Sequence, residues 1–360
     1  MTISLTQTTH KTPEEVCAIT SKILLNPIVR AEQLGGGANS RVFRLISHEK
    51  ASYIVKFYFS QGLDTRDRMG VEFSGLSFLR QYGITCVPRP ITFSREEQCA
   101  IYEFMEGKKI RSGEITQKDM DEAVDFLRDL KELGKLDQSR DLSSASESCF
   151  SIRSVVENIQ LRMERLHQVN GKTEEDRQMR IFLADEFRPF LDTVQGWCRE
   201  NAAKAHISFD EEIGLEERTL SPSDFGFHNA LRTNEGRITF LDFEYFGWDD
   251  PAKMISDFLF HPAMEMSGLL KKYFVRRMEE AFHDNAKLMK RVVLVYPLFG
   301  LKWCLIFLNE FIPDELVKRH HASLDTLDRQ KLQRKQLDKA KTMLQKIKET
   351  YKIFPYRDFK

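Results

Sequence analysis

The sequence has no net charge: 54 Lys and Arg balance 54 Asp and Glu over 360 residues. No global field therefore recruits nucleic acid or an anionic membrane, and any charge recognition has to be local. It also has no Cys-x-x-Cys pair. Its six cysteines, Cys17, Cys86, Cys99, Cys149, Cys198 and Cys304, are dispersed, which gives neither a zinc framework nor a disulfide pattern and is the usage expected of a reduced, cytoplasmic protein. The opening MTISLTQTTHKTPEEV has no basic segment leading into an apolar one, so it does not read as a secretion signal. Long apolar runs are scarce as well. The most apolar stretch, Val292 to Leu308, is 17 residues long and contains Pro297 and Lys302, whereas a membrane span needs roughly 20 clean apolar residues. A buried core helix is expected there, and no membrane span.

What is present is globular: 41% hydrophobic, 30% charged and 11% aromatic residues, far from the composition of disordered chains. This length exceeds what one core serves, so two lobes are expected. Residues 1–104 are expected to form the N-terminal lobe. In it Arg41 to Ser47, Ser52 to Phe59 and Cys99 to Phe104 read as strands. Arg66 to Tyr82 reads as a helix with Met69, Phe73, Leu76 and Leu79 on its apolar side and Gly83 at its C-terminal cap. The linker-like Met105-Glu106-Gly107-Lys108-Lys109 follows. Residues 105–360 are expected to form a mostly helical lobe, with helices over Thr116 to Leu133, Ser151 to His167 and Glu174 to Asn201, and more after Pro251. A single hairpin, Asn229 to Arg232 and Arg237 to Tyr245, interrupts them, turned by Thr233-Asn234-Glu235-Gly236.

Three sets of residues carry chemistry. The run Leu34-Gly35-Gly36-Gly37-Ala38-Asn39-Ser40 joins two strands through three consecutive glycines. Without Cβ atoms, backbone N–H groups can approach an anion closely, which suits a phosphate cradle as well as an ordinary hairpin turn. No Gly-Lys-Ser/Thr follows, so it is not a Walker A loop. Lys56 is the one charge in Ser52 to Phe59, on the strand face of Ile54 and Tyr58. A buried ammonium needs a partner, and Glu72, on the helical stripe of Leu76 and Leu79, is available. The third set is Ser221-Pro222-Ser223-Asp224-Phe225-Gly226-Phe227-His228-Asn229, followed across the hairpin by Asp242 at the end of an apolar run. Phosphoryl transfer needs hard oxygen ligands for Mg²⁺ and a carboxylate that orients an acceptor hydroxyl. Asp224, Asn229 and Asp242 supply those groups; a structural hydrogen-bond network is the other reading.

In this order and spacing the residues resemble the aminoglycoside phosphotransferase and choline kinase-like family, which has the protein kinase-like fold, over roughly residues 30 to 310. The resemblance implies an α+β, two-lobed architecture with a small β-sheet N-lobe and a larger helical C-lobe. It implies that Gly35, Gly36, Gly37, Asn39 and Ser40 cover the phosphates of ATP or GTP and that Lys56, oriented by Glu72, holds them. The base would lie at the hinge near Glu103 and Met105, Asp224 would be the catalytic base, and Asn229 and Asp242 would bind Mg²⁺. The activity implied is transfer of the γ-phosphoryl group to a hydroxyl of a small molecule such as an amino sugar, sugar or amino alcohol. Pro222 departs from the family, which often has His there. That departure keeps a non-catalytic, nucleotide-binding module as an alternative. A protein kinase is a further one, although no Ala-Pro-Glu element is present.

For the acceptor, Glu244, Trp248 and Asp249 are the candidate contacts, with Asp250-Pro251 reading as a helix cap and first turn. Lys302, Trp303, Asn309 and Glu310 on the late apolar helix either line the acceptor cleft or reach solvent. From Lys318 to Lys360 thirteen Lys/Arg stand against five Asp/Glu, expected as the solvated face of a terminal amphipathic helix rather than a nucleic-acid or membrane surface.

Overall fold

The computed structural model describes residues 11–36, 40–59, 66–312 and 326–357, and the chain divides into two compact units, Met1–Glu106 and Gly107–Lys360. The first unit opens with helix α1 (Pro13–Leu24), whose Thr12 and Glu15 form a reciprocal capping box. A five-stranded antiparallel sheet follows: β1 (Ile28–Gly36), β2 (Ser40–Ser47), β3 (Ser52–Tyr58), β4 (Pro90–Ser94) and β5 (Cys99–Glu103), in the spatial order β1-β2-β3-β5-β4. Strict alternation divides β3 between two faces. Val55 and Phe57 join Phe43, Leu45, Ile101 and Val16 of α1 in one apolar cluster, so the intervening Lys56 and Tyr58 face the other way, toward α2 (Arg68–Gln81). Helix α2 stops in a Schellman motif: Gly83, at φ +87°, donates to Arg80 O, and Ile84 donates to Leu79 O. A side chain at Gly83 would be strained in this left-handed conformation.

The second unit contains β6 (Lys108–Lys109), α3 (Gln117–Leu133), α4 (Ile152–His167), α5 (Glu174–Ile181), α6 (Arg188–Lys204), β7 (Thr219–Ser221), β8 (Ala230–Arg232), β9 (Ile238–Phe240), β10 (Gly247–Asp249), α7 (Pro251–Phe260), α8 (Gly268–Ala281), α9 (Leu288–Phe307) and α10 (Thr326–Thr350). Helix α9 is its axis, packed by α4, α6, α7 and α10. The segment Leu288–Phe311 is long and apolar enough to cross a membrane, but 72% of its most apolar window is buried within the protein, as a core helix requires.

Two sequence expectations are corrected. The pattern over Glu174 to Asn201 suggests one helix, yet a π-helical segment, Phe182–Phe187, separates α5 from α6. Pro189 has no N–H and its ring opposes the carbonyl four residues back, so a wider turn absorbs the mismatch. The hairpin's second strand ends at Phe240 rather than Tyr245, because Asp242 takes φ +65°, which a strand cannot hold.

β7 and β10 pair antiparallel, setting Ser221 opposite Gly247. The segment Ser143 to Ser146 runs beside β10: Trp248 N–H donates to Ser143 O and Ala145 N–H to Trp248 O. A Cβ at Gly247 would come within 2.3 Å of Ser143 O and 2.6 Å of Ala145 N, backbone atoms that cannot swing aside. Gly247→Ala is expected to cost about 1–3 kcal/mol of stability, read as a lower midpoint in urea unfolding; an unchanged midpoint would show that this close approach does not matter.

Candidate active site

In the first unit, Lys56 Nζ donates to Glu72 Oε2 at 2.8 Å, and Tyr58 Oη donates to the same oxygen at 2.6 Å while meeting Tyr102 Oη at 2.7 Å. Lys56 is 7% and Glu72 4% exposed, so the pair sits where an unpartnered charge would be costly. Burial, with Glu72 and Tyr102 adding, pushes the Tyr58 hydroxyl well above its ordinary range and keeps it a donor. Gly35 and Gly36 close β1 after a register shift between Gln33 and Gly35, and Ser40, buried, opens β2. Gly37 and Asn39 lie outside the described residues. Glu103 ends β5 with its N–H on Arg89 O, and its carboxylate accepts from Arg89 N–H and lies 3.7 Å from Arg80. Half-buried Met105 follows the strand by two residues.

In the second unit the loop after β7 is strained. Ser223 has φ +66°, and Asp224 N–H donates to Pro222 O at 2.9 Å, closing a three-residue turn on Ser223. A Ser in the left-handed region costs free energy, and such strain persists only where the surroundings over-determine it. They do so here. Ser223 N–H donates to Ser221 Oγ, and Ser223 Oγ donates to Ser146 O and accepts from Lys253 Nζ. The turn presents Asp224, partly exposed, while Asn229 Nδ2 donates to Asp224 O at 3.1 Å and lies 3.5 Å from Asp224 Oδ2. Leu241 N–H donates to Asn229 O at 2.8 Å, which fixes Asp242 beside the same loop in its own left-handed conformation. Thus Asp224 and Asn229 are in direct contact, and the residue before Asp242 is tied to the same loop.

Burial works against ionisation of Asp224, but the His228 contact, the charges of His228 and His261, and the Asn229 amide outweigh it, and the carboxyl is held below its usual range. His228 Nε2 and His261 Nε2 lie 3.3 and 3.5 Å from Asp224 Oδ1. These two histidines stand 33 residues apart in sequence, and no local spacing announces them.

Beneath the loop is a buried ion cluster. Lys253, 1% exposed, donates to Asp249 Oδ2 at 2.6 Å and lies 3.4 Å from Asp257. Asp257 also accepts from Lys302 at 3.2 Å and from Trp303 Nε1 at 3.1 Å. Burial alone would pull the Lys253 ammonium toward neutrality, but Asp249 and Asp257 outweigh it and hold its pKa above the ordinary value. Asp249, expected at the acceptor, is therefore interior and committed to Lys253. Trp248, expected there too, is buried with its Nε1 donating to Ser139 O. Glu244 is likewise buried. Lys302 and Trp303 face the ion cluster rather than solvent. Asp250 caps α7 through Ala252 N–H and accepts from Arg291 Nε at 2.5 Å.

A family model described as the phosphotransferase enzyme family matches residues 30–261. Among solved structures, the chain is similar to a spectinomycin phosphotransferase in complex with ADP and spectinomycin, with a TM-score of 0.61 at 14% identity, covering 94% of this chain and 100% of that one. A choline kinase from Cryptosporidium parvum gives 0.62 at 14% identity, with 94% and 97% covered. A choline kinase from Streptococcus pneumoniae gives 0.59 at 15% identity, with 92% and 98% covered. At these identities the likeness is one of fold, and it agrees with the two-lobed, protein kinase-like architecture expected from the sequence. No curated protein matches the sequence.

The ion cluster generates a stability prediction. Lys253→Met leaves Asp249 and Asp257 buried without their shared ammonium, and breaking such a group from one side costs about 3–5 kcal/mol. Urea unfolding should show a loss of that order; a variant as stable as the parent would mean that the cluster is not charged.

Proposed function

This chain belongs to the phosphotransferase enzyme family, and we propose that it transfers the γ-phosphoryl group of ATP or GTP, with Mg²⁺, to a hydroxyl of a small molecule such as an amino sugar, sugar or amino alcohol. The observation that carries this reading is the loop in which a strained turn presents Asp224, Asn229 clamps it, and the Asn229 carbonyl fixes the approach to Asp242. A neighbour solved with ADP supports a nucleotide donor, and neighbours that are small-molecule phosphotransferases and kinases support a small acceptor.

In the first unit the Gly-rich run Gly35 to Ser40 and Lys56 receive the phosphates, and Glu72, held by Tyr58, keeps the Lys56 ammonium in place. In the second, Asp224 accepts a hydrogen bond from the acceptor hydroxyl and so aims an oxygen lone pair at the γ-phosphorus. As the new P–O bond forms, the bond from the γ-phosphorus to the bridging oxygen breaks, its electron pair leaves with the nucleoside diphosphate, and the hydroxyl proton passes to Asp224 and on to solvent. The lowered pKa of Asp224 suits a residue whose main work is to orient the nucleophile, because in phosphoryl transfer positioning and electrostatics supply most of the catalysis.

The donor set fits Mg²⁺. Asp242 offers a carboxylate, and the Asn229 nitrogen is committed to Asp224, leaving its amide oxygen as the ligand atom; both are hard oxygen donors. When bound, Mg²⁺ would neutralise charge on the transferring phosphates.

The test is a panel of small alcohols assayed for Mg²⁺-dependent ADP or GDP release. At least one acceptor should raise release about tenfold or more above the water-only rate, and Lys56→Ala should lower that rate by a comparable factor through lost phosphate charge. The same rates in Lys56→Ala, or release unaffected by chelating Mg²⁺, would overturn the assignment.

A further inference from the structure

The histidines beside Asp224 are not explained by the roles above. His228 and His261 are stacked, ring centroids 3.8 Å apart and planes within 8°. Trp303 meets His261 edge-on at 5.0 Å, and its indole N–H is anchored on Asp257. The stack is thus held by the same buried cluster that supports the turn at Ser223. His228 has both ring nitrogens buried with no hydrogen bond of good geometry from the protein. A buried donor or acceptor left in that condition is costly, which marks the place as one where a polar group is accommodated. Gly226 makes room for the ring, since a Cβ there would lie 2.8 Å from His228 Nδ1.

The tautomer of His261 follows from its contacts. Ala263 N–H donates to His261 Nδ1 at 3.3 Å, so in the neutral ring the proton is on Nε2, the atom 3.5 Å from Asp224 Oδ1. Burial, with His228 adding, outweighs Asp224 and Asp257 and lowers the His261 pKa to about 4. At neutral pH the ring is therefore an uncharged donor. Asp224, His228 and His261 place their ligand atoms within 4.8 Å of one another, close enough to suggest a metal site. Near-parallel stacked rings, however, send their in-plane lone pairs side by side, and two imidazoles must converge to chelate one ion. The geometry is that of donors gathered on a carboxylate.

Taking Asp224 as the base, on which this inference rests, we infer that His261, stacked on His228, is a positioning residue: its Nε2–H holds the Oδ1 end of the Asp224 carboxylate while Asn229 holds the Oδ2 end. Held from both sides, the carboxylate keeps one orientation toward the acceptor hydroxyl.

Two variants separate donation from packing. His261→Phe keeps a flat ring on His228 and Trp303 but cannot donate; His261→Gln keeps a donor near the Nε2 position. The assay is release of ADP from Mg·ATP with water as the acceptor, at high protein concentration, repeated with any acceptor found active. His261→Phe is expected to lower kcat by about tenfold or more with KM for ATP within about twofold, and His261→Gln to recover most of the loss. In an Asp224→Asn background, His261→Phe should have no further effect, because His261 acts through the carboxylate. A wild-type kcat in His261→Phe, an equal loss in His261→Gln, or a full additional loss in the Asp224→Asn background would each overturn the inference. A wild-type rate in Asp224→Asn alone would instead remove Asp224 as the base, so the two failures are distinguishable.

Discussion

Lys253 is the interaction on which the helical unit's loop depends. Its ammonium lies between Asp249 at the end of β10 and Asp257 on α7, and it reaches up to Ser223 Oγ at 3.2 Å. Such a group does not gain stability from charge alone, because desolvating three ions consumes much of their attraction. What it supplies is direction. The residue before Asp224 occupies a left-handed conformation that a Ser does not choose, and hydrogen bonds from Lys253 and to Ser146 O hold it there. Asp257, engaged by Lys302 and Trp303, carries the same restraint into α9, the unit's axis.

The first unit solves a smaller version of the same problem. Lys56 is a charge on a strand in the middle of a sheet, tolerable because Glu72 meets it at hydrogen-bond distance and Tyr58 in turn holds Glu72. The alternation that buries Val55 and Phe57 against α1 turns Lys56 toward α2. A helix with a glutamate on its buried stripe is then required.

Much of this was legible in the sequence. A single Lys in an apolar strand and a Glu on an apolar helical stripe pointed to each other, Gly83 marked a helix end, and the Asp224-x₄-Asn229 spacing marked a loop in which Asn229 bonds Asp224. The rest was hidden for identifiable reasons. Asp249 and Trp248 lie on β10, a three-residue strand buried throughout and too short to show a one-sided pattern, so they read as acceptor contacts when they are interior. The i, i+4 spacing of Asp249, Lys253 and Asp257 was the available signal for an internal ion ladder. The left-handed turns at Ser223 and Asp242 occupy residues with no intrinsic preference strong enough to announce them. The stacking of His228 on His261 is a tertiary contact with no local signature.

The most direct measurement is ³¹P NMR of wild-type protein turning over Mg·ATP with an active small alcohol, run beside Asp224→Asn. A phosphomonoester resonance should grow in step with ADP in the wild type, and in Asp224→Asn it should grow about 10²–10⁴ times more slowly. ADP appearing with inorganic phosphate alone, or ester forming at equal rates in both proteins, would contradict the account.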